Sequence, residues 1–245
     1  MLVGPFDRLE GLVVTIIGRI RPRALDLWYL SYLFARRSDE WYAKLFDKAQ
    51  LKGLVAGEAT PDYAVLDADG FERIQRMNPG IKLIFIMRDP VDRSWSAVNN
   101  AFKKGRVSRS LTEAAVEWAR LEGPMARSCY PETIRRLEGI FPRAQLHYCF
   151  FDDLAQRPAD FVAAILSFLG VEPTDSQMLP ANAINAVVQG KPVPNEFARE
   201  LARYLLPSVI DLCGRFDGAP QKWRARYEGL LNGRNAEPTR APAIG

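Results

Sequence analysis

The stretch KLIFIMRDPVDRSWSAVNNAFKKG, Lys82 to Gly105, limits what this chain can fold into more than any other part of it. Leu83 to Met87 is a short apolar run bounded by charge, which is the pattern of a β-strand buried on both faces. The Asp89-Pro90 pair stops that strand and opens a helix, with Asp89 as its N-cap. From Val91 onward Trp95, Val98 and Phe102 recur at helical spacing and form the packing face, while Arg93, Ser96 and Asn100 share another. At a strand-to-helix turn of this kind, free backbone N–H groups and the positive end of the helix favour an anion. Arg88, at the strand end, and the Ser96 hydroxyl are placed to join them. A phosphate suits that arrangement.

The same residues resemble a known pattern. In the PAPS-dependent sulfotransferases an Arg ending a strand and a Ser eight residues later hold the 3′-phosphate of the nucleotide, and Arg88 and Ser96 have that spacing. The resemblance extends upstream through GEATPDYAVLDADGFERIQRMNPGIKLIFIMRDPVDRSWS, which is similar to the stretch of bacterial and heparan-type sulfotransferases opening with Gly-Glu-x-(Thr/Ser)-Pro-x-Tyr. Downstream, LHYCFFDDLAQRPADFVAAILSFLGV resembles the strand and helix around that family's (Tyr/Phe)-(Glu/Asp)-Asp-Leu motif. Together the matches run from Trp41 to Val171. They imply an α/β, P-loop NTPase-like sulfotransferase fold with a central parallel sheet flanked by helices.

Composition sets wider bounds. A chain of 245 residues, 48% hydrophobic and 25% charged, has the balance of an ordinary globular domain. A single domain over residues 1–231 is expected, with an atypical start over 1–24 and a disordered tail over 232–245, where Gly, Pro and polar residues lack periodicity. The formal charge of +4 favours anionic ligands, such as a phosphorylated nucleotide or an acidic acceptor. No dense Lys/Arg tract interleaved with aromatics points to nucleic acid. The apolar run Leu12 to Ile17 is far short of the roughly 20 residues a membrane span needs, and no basic region precedes it. A cytoplasmic protein is expected. Cys129, Cys149 and Cys213 are scattered, which argues against a zinc site or a disulfide framework. Cys149 reads as a small core residue and His147, in the same strand, as a packing residue rather than a catalytic one.

The resemblance also implies the remaining site residues. Its members begin with a Gly-x-x-Lys-x-Gly-Thr-Thr loop that cradles the 5′-phosphosulfate, expected here at or just before Met1. Gly4 to Glu10, GPFDRLE, carries no Lys and no Thr, and its acidic residues would repel that ligand. The chain is either truncated or altered at its start, or it holds the 5′ end differently. LDLWYLSYLFARRSDEWYAKLF resembles the following family segment and puts Asp26 where several members carry the catalytic base; a turn carboxylate is the other reading. Trp41, Tyr42, Leu45 and Phe46 have helical spacing and are expected to pack.

Gly53 to Ala56 is expected as a short strand opening onto Glu58, with Pro61 forcing Thr60 into an extended shape. In the resembling enzymes the Glu of this motif is the base or orients the acceptor, though a plain strand-end carboxylate is the alternative. Asp69 to Asn78 reads as a helix completing a right-handed βαβ unit with Leu83 to Met87. Further helices are expected over Leu111 to Leu121, Pro131 to Ile140, Pro158 to Leu169 and Asn195 to Phe216, the last broken near Pro207. A third strand is expected over Gln145 to Phe151. Phe151 stands where the family often has a Tyr near the adenine. Gly190 and Lys191 lie where the family has a basic loop folding over the cofactor, and Lys191 reads equally as a loop lysine.

The resulting expectation is transfer of a sulfuryl group from PAPS, leaving PAP, to a hydroxyl or amine of a small-molecule or carbohydrate acceptor, without a metal. Glu58 or Asp26 would be the base, and Arg88, Ser96, Phe151, Gly190 and Lys191 would bind the cofactor. A truncated or inactive relative that binds a nucleotide or partner without turnover is the alternative. A nucleoside-phosphate kinase on a similar fold ranks last, because it gives the Arg88/Ser96 pair no purpose.

Overall fold

The computed structural model describes residues 38–105, 112–121, 125–172 and 192–233. The chain divides into two compact units, Met1–Ile81 and Lys82–Gly245. Asp26, Gly190, Lys191 and the segment 1–24 lie outside the described residues, as does most of the expected tail.

In the first unit, α1 (Asp39–Lys44) is capped by Ser38, whose hydroxyl accepts from the Trp41 N–H at 3.2 Å. This satisfies one of the orphan donors of a helix start. The short α2 (Asp47–Gln50) follows. Residues 53–56 form no strand: Leu54 and Val55 are exposed irregular backbone without a pairing partner among the described residues. The βαβ unit expected there is therefore absent among the described residues. Thr60 is extended, as Pro61 requires, and Pro61–Val65 is a 3₁₀ turn. In α3 (Ala68–Met77), Asp67 caps the Gly70 N–H at 2.9 Å and Phe71 is buried. Arg73 Nε donates to Asp39 Oδ1 at 2.9 Å, fastening α3 to α1.

The second unit holds the sheet. Strand β1 (Leu83–Met87) pairs in parallel with β2 (Leu146–Phe150), in the register Leu83↔Leu146 through Met87↔Phe150. The connection runs through α4 (Pro90–Lys103), α5 (Thr112–Leu121) and α6 (Tyr130–Ile140). A long crossover is what a parallel pair demands. Beyond β2 come α7 (Phe151–Gln156), α8 (Pro158–Leu169), α9 (Asn195–Cys213) and α10 (Ala219–Leu231). The β1 sequence predicted burial on both faces, yet only Met87 is fully buried and Ile86 is 48% exposed. Among the described residues β1 pairs along one edge only.

The core lies between α4, α6, α9 and α10. Val91 and Val98 of α4, Ile134 of α6, Phe197, Leu201, Leu205, Val209 and Leu212 of α9, and Tyr227 and Leu230 of α10 are essentially inaccessible. Each large apolar side chain so buried contributes about 1.5–3 kcal/mol. That burial explains why α9 runs unbroken through Pro207, where the sequence suggested a break. Packing on both sides of the proline outweighs the hydrogen bond it removes. Helix α10 went unread in the sequence, although Gly218 precedes it and Trp223, Tyr227 and Leu230 keep helical spacing. His147 stacks on Phe168 at 5.0 Å, and burial lowers its pKa, in keeping with a packing role. The three cysteines are free, and burial pushes the Cys149 thiol up to about 12, far from a reactive thiolate.

Candidate functional site

Arg88 is the first residue beyond β1 and Phe151 the first beyond β2, so the parallel register delivers both to the carboxyl edge of the sheet. Ligands of open α/β sheets bind on that side. The two side chains meet there: the Arg88 guanidinium lies 4.9 Å from the centre of the Phe151 ring. A cation over an aromatic face is held by the ring quadrupole. Phe151, expected near an adenine, thus has a contact of its own that orients Arg88.

The Arg88 backbone is fixed as well. The fully buried Tyr130 hydroxyl donates to the Arg88 carbonyl at 2.8 Å and accepts from the Arg88 N–H at 3.3 Å. Burial pushes that phenol up to about 12, so it stays protonated and able to donate.

The next residue departs from expectation. The start of α4 should offer free N–H groups to an anion, but the Asp89 side chain occupies them. Its Oδ1 accepts from Val91 N–H at 2.9 Å and from Asp92 N–H at 3.3 Å. Tyr227 of α10 adds to this cap, its hydroxyl accepting from Val91 N–H at 3.0 Å and donating to Asp89 Oδ1 at 2.9 Å. The N-cap seen in the sequence is real, and it replaces the external anion at the helix start. An anionic ligand at this turn depends on side chains.

Arg226, also on α10, balances the buried Asp89 and the half-buried Asp92: one nitrogen, Nη1, donates to Asp89 Oδ2 at 2.7 Å and to Asp92 Oδ1 at 2.8 Å. Burial pushes the Asp92 carboxyl up to about 6, with the Asp89 charge adding and Arg226 opposing. The Arg226 pKa moves upward, because the two carboxylates outweigh the burial that acts to lower it.

Two further cations border the turn, and the sequence reading did not identify them as site residues. Arg93 of α4 points its Nε to Ser128 Oγ at 2.8 Å, and Ser128 Oγ lies 3.2 Å from the buried Ser94 hydroxyl. Burial lowers the Arg93 pKa, and the neighbouring Arg127 and Arg88 charges lower it further. Arg93 thus feels the positive charge of both Arg127 and Arg88, a field that an anion would relieve. Ser96 stands on the second turn of α4, exposed, and makes no hydrogen bond among the described residues.

Glu58 belongs to the first unit, where two phenols converge on it. Tyr42 donates to Glu58 Oε1 at 2.5 Å, and Tyr63 donates to the same oxygen. Burial first, then the bonds to Glu58, raise both phenol pKa values, so both remain protonated donors at neutral pH. No donor among the described residues reaches Oε2. The sequence took Tyr42 for a packing residue; it also stacks edge-on to Phe46 at 5.4 Å. Its spacing within a helix could not show the bond to a carboxylate 16 residues away. Among the described residues, no group of three or more His, Cys, Asp or Glu side chains could hold a metal ion. The donor set around Arg88 suits a phosphate instead.

Comparisons with known proteins bear on the family and on the fold. The family model described as the sulfotransferase family matches residues 25–175. The crystal structure of a sulfotransferase from Alicyclobacillus acidocaldarius is similar, with a TM-score of 0.57 and 23% identity, over 79% of this chain and 76% of that one. At that identity the likeness is one of fold. No curated protein matches the sequence.

Proposed function

Because the chain belongs to the sulfotransferase family, we propose that it moves a sulfuryl group from PAPS to a hydroxyl or amine of a small-molecule or carbohydrate acceptor. The observation that carries this reading is Arg88, held at the carboxyl end of β1 by Tyr130 and Phe151, with the Arg93 charge near enough to interact with it. When bound, PAPS supplies the sulfuryl group, whose bond to the phosphate oxygen breaks as the bond to the acceptor forms, leaving PAP.

The protein's own groups then have separate tasks. Arg88, with the Ser96 hydroxyl, holds the 3′-phosphate, using binding energy from a remote part of the donor to position its reacting end. Glu58 takes the acceptor proton on Oε2, while Tyr42 and Tyr63 occupy Oε1 and fix the carboxylate plane. Asp26 as an alternative base, and Gly190 with Lys191 over the cofactor, come from the resemblance alone.

The test is thermal stabilisation by PAP. At about 100 times its Kd a ligand adds about 2.7 kcal/mol, or about 5–10 °C for a chain of this length. The shift is expected with PAP, is smaller with ATP, and is lost in Arg88→Ala. Equal shifts with ATP and PAP, or an undiminished PAP shift in Arg88→Ala, would refute the assignment. A second reading, nucleotide binding without turnover, rests on Gly4 to Glu10 lacking the Lys and Thr of a phosphosulfate loop. Sulfuryl transfer from labelled PAPS to any acceptor rules it out.

A further inference from the structure

The family match ends at residue 175, yet the groups that clamp the Arg88–Asp89–Pro90 turn come from α10, more than forty residues further on. We propose that Arg226 and Tyr227 are positioning residues of the nucleotide-anion site, holding the turn in register and cancelling the negative charge beside it. This rests on the proposed role of Arg88.

Two carboxylates, Asp89 and Asp92, lie within one turn of Arg88, and Asp89 is buried with 5% exposure. Unbalanced, they would oppose any phosphate gripped by Arg88. The Arg226 nitrogen that bridges them supplies the balancing charge at 2.7 and 2.8 Å. Tyr227 acts on geometry instead. Its hydroxyl ties the Asp89 carboxylate to the Val91 amide, while the Tyr130 hydroxyl holds the Arg88 backbone. The turn is thus pinned residue by residue from two helices, and Arg88 has little freedom to swing. Trp223, on the same face of α10, donates to Asp152 at 3.2 Å and secures the neighbouring end of β2 beside Phe151. Helix α10 therefore fixes both strand ends from which the candidate site projects.

The bridge passes through a single nitrogen, while Arg226 Nε is buried without a hydrogen-bond partner. A lysine ammonium is a single charged nitrogen that can supply the same two-carboxylate bridge. Arg226→Lys should keep the site, whereas Arg226→Met should not.

The experiment is titration calorimetry of PAP on the full chain, at a temperature where each variant is folded by circular dichroism. PAP binding is expected to weaken at least tenfold in Arg226→Met and three- to tenfold in Tyr227→Phe. It should stay within threefold of wild type in Arg226→Lys and unchanged in Arg224→Ala, an exposed control on the same helix. A merely structural clamp would lower the Tm and leave the affinity of the folded protein untouched. Affinities within twofold of wild type in Tyr227→Phe and Arg226→Met, while Arg88→Ala loses binding, overturn this inference and leave the proposed site standing. Wild-type protein that does not bind PAP overturns both. Should Arg226→Met fail to fold, Tyr227→Phe decides alone.

Discussion

Replacing Asp92 with asparagine should stabilise this protein at neutral pH and leave it unchanged in acid. The Asp92 carboxyl is half-buried beside Asp89, and its pKa is pushed from 3.8 to about 6 despite the Arg226 nitrogen 2.8 Å away. In the unfolded chain the group ionises near 3.8, and in the folded protein near 6. Between those values the folded state holds a proton that the unfolded state has released, so stability falls as pH rises through that window and is level above it. A difference of about two units at about 1.36 kcal/mol each makes the ionised carboxylate cost about 3 kcal/mol above pH 7. Asparagine keeps an oxygen for Arg226 and loses about 0.5 kcal/mol of favourable charge at the helix start. A net gain of about 2 kcal/mol is expected at pH 7.5, or about 4–8 °C in Tm. Differential scanning calorimetry of both proteins from pH 4 to pH 8 should show a gap that opens through pH 4–6. A variant less stable than wild type at pH 7.5, or a gap that ignores pH, would mean that the Arg226 pairing outweighs burial, and would refute the argument.

Other expectations follow from the same geometry. Glu58→Gln should lower kcat about 10²–10⁴-fold, the range for a general base, with PAP affinity unchanged by calorimetry; a matching loss of affinity would argue for a different role. Tyr63→Phe should lower kcat less and shift KM little in the same assay, since Tyr42 still holds Oε1. Leu201→Ala, at a fully buried position in α9, should cost about 2–5 kcal/mol in urea unfolding without changing the PAP affinity of the folded protein.

What the sequence disclosed and what it hid divide along physical lines. Local signals were legible: Asp89-Pro90 marked the end of β1 and the start of α4, and the apolar spacing of Val98 and Phe102 gave the packing face of that helix. Proline and glycine bounded α8, which runs over the residues its pattern predicted and ends at Gly170 in the left-handed region, φ 75°. The family motif around Arg88 was legible for the same reason, because Arg88 and Ser96 lie on one continuous strand-turn-helix.

Contacts between distant residues were not. Arg226 reaches Asp89 across 137 positions, and nothing in the composition of α10 indicates that its charge is needed at a turn so far away. The amides at the start of α4 are occupied in part by Tyr227, 136 positions from Val91. A capping aspartate can be read from sequence, but whether it leaves room for a ligand depends on Tyr227. The strand expected at residues 53–56 failed for a related reason. A short apolar run becomes a strand only beside a partner, and the described residues supply none. At Pro207 local propensity pointed to a break, and the burial of Leu205 and Val209 on either side overrode it.

Comparing PAP with 5′-AMP, which lacks the ribose 3′-phosphate, isolates the contact assigned to the Arg88 guanidinium. Calorimetry on wild type should show PAP binding at least 100-fold more tightly than 5′-AMP, worth about 2.7 kcal/mol, and Arg88→Ala should reduce the preference to less than tenfold while leaving 5′-AMP affinity nearly unchanged. An equal preference for PAP in wild type and Arg88→Ala would contradict the assignment at its base.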